Sequence, residues 1–127
     1  MGMGYSANFA DVIDDEHVKE LCPAEHNAFM DALEKEGLDF EDFAREESYE
    51  DFDNEAVTAA YDALREAFNV ASRGAYLTIG YHDSDNEGDR YDEVSGAYWD
   101  VDGLTAPTKA AKFLGKKVKR QGFVIFG

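Results

Sequence analysis

The sequence predicts an α+β fold: N-terminal helices packed on a small antiparallel sheet of about three strands, with one further short helix before the last strand. Three observations carry this. Residues 54–72 repeat apolar side chains at three- and four-residue steps. Residues 75–82 and 96–101 alternate them. The C-terminal VKRQGFVIFG ends in a continuous apolar run, Phe123 to Phe126. A chain of 127 residues is the size of a single domain, so residues 1–127 are taken as one.

Each element has a local reason. Residues 5–13 suit two readings: Tyr5, Ala7 and Phe9 alternate like a strand, while Phe9, Val12 and Ile13 suit a helical face. Asp14 is placed to cap a short helix with Val18 and Leu21 inward. Asp15 and Glu16 then lie where the helix dipole favours negative charge. Pro23 ends that helix and opens the next, where its missing N–H costs nothing. In residues 24–36 the inward positions are His26, Phe29, Met30 and Leu33, and Gly37 is the stop. Asp39 caps a third short helix with Phe40, Phe43 and Ala44 facing inward, and residues 46–55 read as an acidic connection.

In residues 54–72 the stripe is Val57, Tyr61, Leu64, Phe68 and Ala71, closed by Arg73-Gly74. The next strand puts Leu77, Ile79 and Tyr81 on one face, and its partner does the same with Ala97, Trp99 and Val101. Asp102-Gly103 is a turn signal. Residues 105–117 read as a helix with Ala110, Phe113 and Leu114 inward. The run at 123–126 implies a last strand buried on both faces or interior to the sheet.

Composition narrows the function. At 44% hydrophobic and 13% aromatic, the chain can build a core. It has no apolar run of transmembrane length and no signal-peptide pattern, and its single cysteine, Cys22, makes no internal disulfide. The expected location is cytoplasmic. The net charge is −16 and is unevenly spread. All 28 acids lie in residues 1–104 with six bases; residues 105–127 hold six bases and no acid. Such a surface repels nucleic acid and anionic lipid and attracts basic partners.

Candidate sites are few. The loop DSDNEGDRYDE places Asp83, Asp85, Glu87 and Asp89 at alternate positions, with Gly88 sixth, as a calcium loop would. The twelfth position is Val94 where an EF-hand needs a bidentate Glu, and strands flank the loop. A polar hairpin loop is the plain reading, and a non-EF Ca2+ loop the alternative. His17, Cys22 and His26 offer three zinc-type ligands where a structural site normally has four. Hydrolase, phosphate-loop and dinucleotide motifs are missing, and His82 beside Asp83 is the one histidine near a loop. No cofactor is expected, and a small enzyme with an unrecognised site is the remaining alternative.

The acids themselves are the best candidate. Helical acids three or four positions apart stand ~5–6 Å from one another, and B-DNA carries one charge per ~1.7 Å of axis. Asp31, Glu34, Glu41, Asp42, Glu46, Glu47, Glu50, Asp51, Asp53 and Glu55 would thus imitate a phosphate ladder for a basic, nucleic-acid-binding partner protein. In its small size, acidity, single cysteine and lack of a catalytic motif, residues 1–104 above all, the chain resembles small acidic DNA-mimic inhibitors of the phage anti-restriction and anti-CRISPR type. That resemblance implies a non-enzymatic inhibitor or adaptor. The basic stretch KAAKFLGKKVKRQ departs from it, and either pairs with the acidic body or marks a second contact surface.

Overall fold

Tyr5–Ile13 takes the first of its two readings and forms strand β1. The computed structural model describes residues 5–48, 54–82, 96–105 and 108–126. Four helices come next: α1 (Asp15–Leu21), α2 (Pro23–Lys35), α3 (Phe40–Ser48) and α4 (Glu55–Ala71). Strands β2 (Tyr76–His82) and β3 (Gly96–Asp102) then pair, and α5 (Lys109–Leu114) with a 3-10 turn (Gly115–Lys117) leads into β4 (Val118–Phe126). The fold is α+β, with described strands in the order β2-β3-β1-β4, every neighbouring pair antiparallel.

Two expectations about the sheet change. It has a fourth described strand, and the interior position belongs to β1, not to the apolar C-terminal run. Ile13 pairs with Trp99 on one side and Val118 on the other. The connection from β3 through α5 passes β1 and sets β4 beyond it as an edge. An apolar run fixes its place in a sheet only when its neighbours are known, and here the partners, Tyr5 to Asn8, lie more than 110 positions away in the chain.

The helices cover one sheet face. Ile13, Leu77, Ile79, Trp99 and Val101 point to it and join one core cluster with Val18, Phe29, Leu33, Phe43, Val57, Leu64 and Phe68. Rings dominate its centre. Tyr61 lies 5.1 Å from Phe43, 5.7 Å from Phe29 and 6.4 Å from Trp99, centroid to centroid, and Phe40 closes on Trp99 at 5.0 Å. These are the offset and edge-on separations that aromatic quadrupoles favour.

Helix ends follow the sequence with three exceptions. Asn54 caps α4 by accepting from Val57 N–H. Asp39 and Asp42 cap α3 reciprocally, each carboxylate accepting the other's backbone N–H. Asp14 precedes α1, but its side chain makes no cap bond; its carbonyl accepts from His17 and Val18 instead. The helix expected over 105–117 is shorter, with Thr108 as its cap, and Phe113 is 38% exposed, not inward. Ala110 and Leu114 are buried, and a helix this short has one narrow inner face. Residues 46–48, read as connection, extend α3.

The outer edge of β2 is closed by side chains of α4. Ile79 N–H donates to the Tyr61 hydroxyl at 2.9 Å. Arg65 Nε donates to the Leu77 carbonyl and Asn69 Nδ2 to the Ala75 carbonyl, both at 2.9 Å. Four helical residues rise about 6 Å and two strand residues about 6.7 Å. Positions 61, 65 and 69 therefore keep step with 79, 77 and 75. The reversal between the elements is tight: Arg73 (φ 67°) and Gly74 (φ 115°) are both left-handed, and Ser72 Oγ accepts from Ala75 N–H.

Tyr61→Phe tests this seam. The ring still packs, but the buried Ile79 N–H loses its acceptor, at a cost of about 1–3 kcal/mol. Urea denaturation should show a lower midpoint with an unchanged slope.

Candidate functional site

Residues 14–48, which span α1 to α3, hold 13 acids and three bases. Asp31 and Glu34 stand exposed on α2, Glu41 is exposed and Asp42 half-exposed in the first turn of α3, and Glu55 is exposed in the first turn of α4. The first-turn acids also complement the positive ends of their helices. Glu46 and Glu47 belong to α3. Glu50, Asp51 and Asp53 lie outside the described residues.

Where α2 turns into α3, three carboxylates surround an apolar groove of about 480 Å³. Met30, Leu33, Leu38 and Phe40 form its floor, and Glu34, Asp39 and Asp42 its rim. Local chemistry fixes the shape. After Lys35 the chain closes with Gly37 (φ 70°) and a Leu38 N–H bond back to the Leu33 carbonyl. That fold-back brings Leu38 beside Leu33. The reciprocal Asp39–Asp42 cap then starts α3, leaving both carboxylates at the opening. Arg45 is the nearest base, 3.9 Å from Asp42, but its guanidinium also stacks on the Tyr81 ring. The sequence reading named Glu34 and Asp42 and gave Asp39 only a capping role. It took Met30 and Phe40 as core and gave Leu38 no role, because the groove depends on how two helices meet.

The zinc-type trio is used differently. His26 is 4% exposed and its Nε2 lies 2.8 Å from Asp15 Oδ1. The same oxygen accepts from Trp99 Nε1 at 2.9 Å. Asp15 thus ties α1 to α2 and β3. His17 Nδ1 faces Glu20 at 3.6 Å. Cys22 is buried and unpaired, and burial followed by the Glu25 charge pushes its thiol pKa up, which disfavours the reactive thiolate. Among the described residues no three of His, Cys, Asp and Glu gather as a metal-holding group. The loop acids Asp83, Asp85, Glu87 and Asp89 lie outside the described residues, while His82 pairs through its backbone with Gly96 at the end of β2.

The second sheet face carries Thr78, Gly80, Tyr98 and Asp100. A Cβ at Gly80 would meet Tyr98 Cζ at 2.5 Å, so the ring lies across the glycine. Desolvation pushes the Asp100 pKa up to about 6, aided by the charges of Asp102 and Asp11. Desolvation and Asp100 in turn raise Tyr98. The folded protein holds the Asp100 proton more tightly than the unfolded chain, whose carboxyl titrates near 3.8. This group therefore favours folding increasingly as pH falls through 6, and the advantage is lost as pH rises past it.

Asp100→Asn removes that penalty. Discounted for partial exposure, the gain at pH 7.5 is about 1 kcal/mol, or a melting temperature higher by about 4 °C. The difference from wild type should shrink as the pH is lowered below 6, as thermal melts across pH will show.

No described helix is long and apolar enough to cross a membrane. No protein-family model, curated protein or solved structure matches the chain.

Proposed function

We propose that this chain is a non-enzymatic interaction module that docks its α2–α3 face onto a basic, nucleic-acid-binding protein and blocks or recruits it. The observation that carries the reading is the groove of Met30, Leu38 and Phe40 rimmed by Glu34, Asp39 and Asp42. A DNA-binding cleft offers Lys and Arg spaced to meet phosphates, often around apolar or aromatic side chains. Carboxylates at helical spacing meet the cations, and the apolar floor gives desolvated area that phosphate cannot. Charge steers the encounter and the floor slows dissociation. In the setting the DNA-mimic resemblance suggests, phage anti-defence, the target is a host nuclease or its nucleic-acid-binding subunit.

The test is capture from a lysate by the immobilised chain at ~0.15 and ~0.5 M NaCl, with short duplex DNA as competitor. A captured basic protein should be released by the higher salt and by the DNA. Glu34→Lys/Glu41→Lys should weaken its binding roughly tenfold or more. The absence of any basic protein that is both salt-sensitive and DNA-competed would overturn the reading.

A further inference from the structure

The basic end of the chain folds back as β4 along β1, yet its described basic side chains close no ion pair with the acidic body. Among the described residues, no carboxylate makes an ion pair with Arg73, Lys109, Lys112, Lys116, Lys117, Lys119 or Arg120; the Lys and Arg ion pairs engage only Arg45 and Arg65. Two of these cations meet at one ring instead. Phe113 projects from α5, with the Arg73 guanidinium 4.8 Å from its centroid and Lys117 Nζ 5.9 Å away. Lys112 and Lys116 are exposed beside it in sequence. The result is an exposed aromatic knob collared by cations.

The α2–α3 groove is its counterpart: an apolar floor collared by carboxylates. We infer that the knob at Phe113 of one copy of this chain seats in the α2–α3 groove of another. A ring held between Arg73 and Lys117 offers apolar surface to the Met30–Leu38–Phe40 floor and positive charge to the Glu34–Asp39–Asp42 rim. Knob and groove belong to different elements, so the contact joins unlike patches, and copies either reciprocate across a two-fold axis or add head to tail. The net charge of −16 opposes the approach of two copies. At physiological salt, charges more than ~8 Å from the contact are largely screened, and the facing collars dominate. One ring and its collar make a small interface, below the ~1,000 Å² of stable complexes, so the association is weak and concentration-dependent. This goes beyond the proposed partner docking, because a second copy occupies the groove without any partner present.

Sedimentation equilibrium of the purified chain, at ~0.15 M NaCl and up to ~1 mM, tests this. The wild type should show a mass above the monomer that rises with concentration. Arg73→Glu/Lys117→Glu spoils the knob and keeps the groove; Glu34→Lys spoils the groove and keeps the knob. Each alone should sediment as a monomer. Their equimolar mixture contains one intact knob–groove pair and should form two-chain complexes and nothing larger. A wild type that stays monomeric throughout, variants that associate like wild type, or a mixture that remains monomeric would each overturn the inference. None of these outcomes involves a foreign partner, so the lysate capture stands or falls separately.

Discussion

The seam between α4 and β2 is the constraint on which the rest of the structure depends. Tyr61, Arg65 and Asn69 satisfy backbone groups of Ile79, Leu77 and Ala75 that would otherwise be open to solvent or to another strand. The match works because four helical residues and two strand residues cover nearly the same length. It fixes α4 along one edge of the sheet. With α4 in place, Tyr61 reaches the centre of the ring cluster, where Phe29, Phe43 and Trp99 meet it. One side chain thus closes the edge and organises the core.

That arrangement also sorts the charges. The buried stripe of α4 leaves α2 and α3 to meet at an angle set by Gly37 and the Asp39–Asp42 cap. Their solvent sides carry the acids because nothing on the core side can accept them. Half of the basic residues come last in the chain and land on α5, the 3-10 turn and β4. Opposite charges on separate elements of one compact body make a polar molecule, not a uniformly negative one.

Much of this was legible locally. The α4 stripe, the faces of β2 and β3, Pro23 at a helix start and Asp39 as a cap are all consequences of spacing over a few residues. What stayed hidden was non-local. Residues 5–13 satisfied two periodicities, and only pairing with Trp99 and Val118 selects the strand. The Phe123–Phe126 run reads as buried on both faces or interior, yet among the described strands β4 lies at the end of the sheet, outside β1. Of the groove, Glu34 and Asp42 were legible as exposed helical acids, whereas Leu38 and Phe40 became lining only through the turn at Gly37. The Asp15–Trp99 bond joins residues 84 positions apart, and no local pattern announces it.

Trp99 is the sole tryptophan, and its position makes it informative. Its indole N–H is held by Asp15 from α1, its ring touches Phe40 from α3, and Phe29 and Tyr61 approach from α2 and α4. Four helices therefore converge on one chromophore. Its emission is an intrinsic optical gauge of how tightly the helical layer sits on the sheet. Because Phe40 both lines the groove and leans on this indole, anything seated there should be visible as a change in fluorescence without attaching a dye.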